Sequence, residues 1–395
     1  MREMKSSGVE WLGKIPAEWE LSRLGVLFTT RNCKVSDEDY APLSVTMGGV
    51  VPQLSHVAKS DDHANRKLVR KGDFVINSRS DRRNSCGFTP SDGSVSLINT
   101  VCVPRLGFDS RYFGYLFDSE QWADEFYSWG HGIVADLWTT SWNEMKRIML
   151  PVPPLDEQQR IADYLDAKCG EIDRAIEAAE KSIEELLKYR SSYLEDTFGR
   201  LDSVYPKVKL KYVLKESKEK SVDGIGEPLS ITIASGVLHS SELEIPNPAS
   251  SMVGAKVVHA GDLVFNKLKA YFGVMYVSSY DGLISSEYAI YRALNPSDVS
   301  LKYIEYLVHT NRIIDEFIIR ISGVADGFRR LYTSELFNIA ITLPPLFVQE
   351  KAVRELNTIY DSIDTSIAAK RAIIADLKAY KQSLIYEVVT GKREV

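Results

Sequence analysis

The chain has 395 residues, 44% of them hydrophobic and 26% charged, with a formal net charge of −6. That composition is ordinary for a folded protein of two or three domains, and no run approaches the roughly 18 apolar residues of a membrane span. Residues 1–8 lack the apolar core of a secretory signal, and Cys33, Cys86, Cys102 and Cys169 show no Cys-x-x-Cys spacing, so the sequence reads as cytoplasmic, with reduced thiols and no metal site.

In chain order, residues 8–28 put Trp11 and Trp19 around a proline turn and read as an arm packed on a first lobe. Short β-rich runs at 43–46, 74–77 and 95–103 alternate with glycine and aspartate turns. A helical pattern covers 110–127. It is followed by a loop holding Gly130, Gly132 and Asp136, then an aromatic stretch with Trp138 and Trp142. Residues 1–151 form this first lobe.

Residues 152–199 open with Pro153-Pro154-Leu155 and an acidic, amide-rich turn, which marks a helix N-terminus. Leu165, Ile172, Ile176, Ile183 and Leu186 then recur with the a/d spacing of a coiled coil, and Gly199 reads as the stop. Roughly 40 helical residues make a rod about 60 Å long, which needs a partner for its apolar stripe. The partner is a second copy. Pro153 falls on Pro344 with an offset of 191, and the register holds without a gap through Gln158 on Gln349, Tyr189 on Tyr380 and Ser192 on Ser383. In this copy, 344–395, Leu356, Ile363, Ile367, Ile374 and Leu377 repeat the stripe, and Gly391 closes it.

Between the rods, residues 200–343 repeat the first lobe more loosely. Pro42-Leu-Ser-Val-Thr is answered by Pro228-Leu-Ser-Ile-Thr, and Lys71-Gly-Asp-Phe-Val-Ile-Asn by Ala260-Gly-Asp-Leu-Val-Phe-Asn. The expected fold is α+β: two pseudo-repeated α/β lobes separated by two long helices that pair as an antiparallel coiled coil. The acidic excess sits in the first rod, with 12 acidic and 6 basic side chains, while the first lobe carries 19 and 18 and the second 16 and 16. Neutral lobes leave room for basic faces, and seven basic residues cluster between Arg66 and Arg83.

No phosphate loop, nucleophile elbow, His-Glu-x-x-His or amino-methyltransferase Asn/Asp-Pro-Pro-Tyr/Phe motif occurs, so the sequence points to recognition rather than catalysis. In each lobe the Gly-Asp turn starts a strand whose end delivers polar and basic side chains. These are Asn77, Ser78, Arg79, Arg82 and Arg83 in the first lobe and Asn266, Lys267, Lys269 and Tyr271 in the second, with Arg329 and Arg330 after the second glycine loop. Arg and Asn can bond base edges in bidentate fashion, and Lys and Ser suit phosphate. The alternating lysines from Lys207 to Lys220 read as an exposed, linker-like segment.

Leu150-Pro-Val-Pro-Pro-Leu-Asp-Glu-Gln and Leu343-Pro-Pro-Leu-Phe-Val-Gln, each following a lobe of about 150 residues, together with Trp11-Leu-Gly-Lys-Ile-Pro-Ala-Glu-Trp, resemble the specificity subunit of type I restriction-modification systems. The resemblance covers essentially the whole chain. It implies two target recognition domains, each reading one half of a bipartite site in double-stranded DNA, and spacer helices that bind two modification subunits. Restriction subunits would complete the assembly. S-adenosylmethionine, ATP and Mg are then expected only in those partners, with no cofactor in this chain. Phe347-Val348 stands where the first copy has Asp156-Glu157, so the two helix entrances differ. The competing reading is a non-catalytic protein-assembly scaffold with two binding lobes.

Overall fold

A computed structural model describes residues 2–54, 65–79, 83–105, 107–132, 138–233, 235–243, 252–322 and 330–395. It forms two compact units, Met1–Glu180 with Arg371–Val395, and Lys181–Lys370. Each unit thus combines one lobe with part of each long helix.

In the first unit four antiparallel strands run in the order Cys86–Phe88, Phe74–Asn77, Asn99–Pro104, Phe28–Thr30. Phe74–Asn77 is buried along its whole length, as its unbroken apolar run requires. Helices Ser110–Asp118 and Glu120–Ser128 bring Phe113, Phe117, Trp122 and Phe126 into one aromatic core with Phe28 and Phe74. The Phe74 and Phe117 ring centroids lie 4.4 Å apart. A second, aliphatic core joins Val75 and Val101 to the hairpin of Leu43–Thr46 and Gly49–Pro52 through Leu43, Val45 and Val50.

Two expectations need correcting here. The helical pattern over 110–127 is two helices, because Ser119 turns extended (φ −74°, ψ 142°) and its hydroxyl caps the second by accepting from Trp122 N–H. The run 95–103 is likewise two strands, Gly93–Val95 and Asn99–Pro104, separated by a turn in which Asn99 N–H donates to the Ser96 carbonyl. The N-terminal arm does pack on this lobe. Trp11 and Trp19 are buried, and Trp11 meets Trp122 edge-on at 6.2 Å.

The second unit repeats the plan. Its four strands run Met275–Val277, Leu263–Phe265, Ala289–Ala293, Leu214–Glu216, position for position the order of the first. Helices Leu301–Val308 and Asn311–Arg320 cover one face, with Phe265, Tyr291, Tyr303 and Phe317 at the centre. The lysines from Lys207 to Lys220 are not a linker. Lys207–Lys209 pairs with Ala340–Thr342, and Leu214–Glu216 is an edge strand of the sheet, because alternation there places Val208 and Leu214 inward and the lysines outward.

The central helix spans Leu155–Val204 and the C-terminal helix Leu346–Val389. Within the first unit Lys381 reaches Asp173 at 2.7 Å and Lys378 approaches Glu180 at 4.0 Å, so the two helix segments are antiparallel. Within the second unit Arg190 bonds Asp364 at 2.8 Å and lies over the Tyr360 ring at 4.1 Å. Leu165, Ile172, Ile176, Leu356, Ile363 and Ile367 are buried, while Ile183, Leu186, Ile374 and Leu377 are half-buried. Gly199 does not stop the central helix, which continues to Val204. Phe198 and Leu201 pack on the second lobe's core there, and this burial exceeds the roughly 1 kcal/mol that an interior glycine costs. Gly391 does end its helix, in the left-handed conformation at φ 70°.

The repeated Pro-Pro-Leu-x-x-Gln signature has a structural cause. Gln158 donates to the Pro153 carbonyl and accepts from Asp109 N–H, and Gln349 donates to the Pro344 and Asp298 carbonyls and accepts from Ser300 N–H. Each buried carboxamide ties a long helix to the helix-capping turn of its lobe. Half of the departure at Phe347-Val348 has a visible cause: Glu157, which stands where the second copy has Val348, is held by Arg2 at 2.8 Å and by Trp19 Nε1 at 3.0 Å, both from the N-terminal segment.

Candidate nucleic-acid interface

In both lobes the strand after the Gly-Asp turn ends on an asparagine whose side chain shapes the turn beyond it. Asn77 Oδ1 accepts from Arg79 N–H at 3.0 Å, and Asn266 Oδ1 accepts from Leu268 and Lys269 N–H at 3.1 and 3.2 Å. Both asparagines are buried. This corrects the role expected of them: they do not reach outward to a base edge but build the turn that presents their neighbours. Ser78 is also buried, hydrogen-bonded to Thr100 Oγ1 at 2.8 Å.

Arg79 is exposed at the tip, and Arg83 is exposed and ion-paired with Asp124. Arg82 and Arg329 lie outside the described residues. The segment beyond the glycine loop returns to the same turn in each lobe. Thr140 N–H donates to the Ser78 carbonyl, and Leu331 N–H to the Lys267 carbonyl. In the first lobe this return closes one side of an open cleft of about 390 Å³ lined by Thr30, Lys67, Ser78, Arg79, Thr139 and Trp142. In the second it brings Arg330 beside Lys267, where Arg330 bonds Glu287 at 2.7 Å. Lys269, Tyr271 and Phe272 are exposed on the turn Lys267–Phe272.

The basic run between Arg66 and Arg83 does not form one surface. Arg66 is buried and donates to Ser94 Oγ and O at 2.8 and 3.1 Å, and Lys67 is half-buried on the Asn99 carbonyl. Arg70 is engaged by Asp92, while Arg31 holds Asp73, the Gly-Asp carboxylate itself. In the second lobe Arg292 holds the equivalent Asp262 at 2.7 Å. These charges brace the turn in both copies, leaving the tip residues to differ. Among the described residues no group of His, Cys, Asp and Glu is placed to hold a metal ion, and no helix is long and apolar enough to cross a membrane.

No family model matches the chain. A curated relative, the type I restriction enzyme EcoKI specificity subunit of Escherichia coli (strain K12), is 20% identical over 269 residues, which is 62% of this chain and 58% of the relative. A chain from a structural study of complex assembly and conformational transition of the type I R-M system superimposes with a TM-score of 0.70 at 17% identity, covering 96% of this chain and 99% of its own. The HsdS subunit from Thermoanaerobacter tengcongensis gives 0.58 at 19% identity, over 98% and 100%. The fold is that of a type I restriction-modification specificity subunit.

Within this fold the strand-end turns of the two lobes carry different side chains. The first carries Ser78, Arg79 and Arg83, and the second Lys267, Lys269, Tyr271 and Phe272. Sequence reasoning missed Phe272, though an aromatic pair one residue beyond Lys267-Leu-Lys269 was a visible signal. It also missed Thr139 and Trp142 as neighbours of Arg79, because only the folded return of residues 138–142 brings them there.

Proposed function

We propose that this chain is the non-catalytic DNA-specificity subunit of a type I restriction-modification complex, acting in the cytoplasm. The lobe at 1–151 reads one half of a bipartite duplex target and the lobe at 200–343 the other. The long helices hold the gap between the half-sites and dock two modification subunits, which carry S-adenosylmethionine, while restriction subunits carry the ATP- and Mg-dependent steps. The observation that carries this reading is the strand-end turn, built twice by the same buried asparagine and returning segment, yet tipped with different side chains. A constant scaffold with divergent cationic tips suits one binding task aimed at two targets, with arginine for base edges and lysine for phosphate.

Genome-wide detection of methylated adenines in cells with and without this chain tests the proposal. A bipartite motif methylated only when the chain is present is the expected result. A protein-assembly scaffold would leave the methylation pattern unchanged, and its complex would show no salt-sensitive preference for one duplex.

A further inference from the structure

The strand-end turn of the second lobe holds two large rings in water, whereas the corresponding stretch 77–85 of the first carries none in its sequence. Tyr271 is 39% and Phe272 52% exposed, with ring centroids 4.3 Å apart and planes inclined at 43°. The turn that carries them is fixed at both ends. Asn266 caps its start, and Gly273 closes it at φ 66°, where an added Cβ would stand 2.7 Å from Ile314 Cδ1 and 3.1 Å from His309 Cδ2. Ala270, between them, is fully buried. The two rings therefore project from a rigid base rather than from a loose loop.

The same turn carries two lysines. Lys269 is exposed beside the rings, and Lys267 is half-buried near Lys256 and Arg330, which are themselves paired with Glu216 and Glu287. Burial, together with those two neighbouring cations, lowers the pKa of Lys267. An aromatic pair rimmed by lysines matches a nucleobase stack and its phosphates better than an apolar protein surface, which gains nothing from the lysines. Residues 77–85 of the first lobe contain no aromatic side chain.

We propose that Tyr271 and Phe272 form an aromatic wedge that unstacks one base step in or beside the half-site of the second lobe, with Lys267 and Lys269 on the flanking phosphates. This rests on the DNA-reading assignment above. The two half-sites are then recognised by different physics, arginine contacts in one and stacking in the other.

The test uses the chain assembled with its modification subunits on a duplex carrying the target mapped by adenine methylation. Bases of both half-sites are replaced one at a time by 2-aminopurine, whose fluorescence rises on unstacking. The methylated adenines stay natural, because their extrusion by a modification subunit would give the same signal. One step at the second half-site should brighten severalfold and none at the first. The double variant Tyr271→Ala with Phe272→Ala should return it to the level of free duplex and weaken binding by roughly tenfold or more, whereas Phe272→Trp retains the signal. An unchanged melting temperature and retained selection at the first half-site establish that the variant is folded.

The proposal is overturned if no step brightens or if brightening persists in the double variant. It is equally overturned if that variant loses its modification subunits while DNA binding is unaffected, which would make the patch a protein-docking surface. A complex with no sequence preference for DNA would overturn the DNA-reading assignment itself, whereas sequence-selective binding without brightening removes only the wedge.

Discussion

Lengthening both long helices by one heptad should widen the gap of the DNA target. The inserts belong after Glu180 and before Arg371, where the two units divide and where Ile183 and Ile374 are only half-buried, so no lobe core is cut. Seven residues at about 1.5 Å add roughly 10 Å to each helix. DNA rises about 3.4 Å per base pair, so the unspecified gap should grow by about three base pairs. Seven residues also turn the helix by about 20° less than two full turns, which keeps each apolar stripe facing its partner. Three base pairs twist the duplex by roughly 100°, given about 10.5 per turn, so the lobes must follow the groove and weaker binding accompanies the wider gap. The assay is the methylated motif in cells that express the doubly extended chain. A single insert is the control and should abolish modification, because it leaves one apolar turn unmatched. If the doubly extended chain modifies DNA with the original gap, the helices do not set the spacing.

Replacing Arg79, Arg82 and Arg83 together by alanine should weaken target binding and flatten its salt dependence, with base-edge contacts worth about 1–3 kcal/mol each; unchanged affinity and slope in a salt titration would remove these arginines from the interface. Asn266→Ala should cost about 1 kcal/mol in urea unfolding by uncapping the turn, and should reduce selection at the second half-site alone. Asp118 gives a pH signature. Burial, reinforced by Asp173 and opposed by Lys381, raises its pKa to about 6. The folded chain therefore keeps a proton that the unfolded chain releases near its ordinary value, and stability falls as pH rises from about 4 to 6, by at most about 3 kcal/mol. Asp118→Asn should be more stable than the parent at pH 7.5 and equal to it at pH 4, as read from urea midpoints.

The architecture was legible because it is written twice. An ungapped register at an offset of 191 residues, with a/d positions such as Ile172 and Ile363, requires two equivalent helices, and the strands Leu43–Thr46 and Phe74–Asn77 come directly from alternation in the first, an unbroken apolar run in the second, and the turn residues beside them. What the sequence could not provide was direction and partnership. Gly199 reads as a stop until Phe198 and Leu201 are seen to carry the helix past it. Asn77 and Asn266 have the chemistry to read a base, but the strand end turns their carboxamides inward. Arg66 looks like part of a phosphate-binding run until its guanidinium is found on Ser94. Glu157 and Val348 occupy equivalent positions, yet their difference is intelligible only once Arg2 and Trp19 arrive from more than a hundred residues away. Local pattern fixes elements, whereas burial and long-range hydrogen bonds decide which polar side chains remain available to a partner.

The most direct test exchanges residues 1–151 for the corresponding lobe of a type I specificity subunit with a different known target, and maps methylated adenines across the genome. A hybrid motif is expected, in which one half changes, the other half remains that of the parent, and the gap between them is unchanged. A hybrid that alters both halves, or alters neither while modification continues, is incompatible with the assignment of one half-site to each lobe.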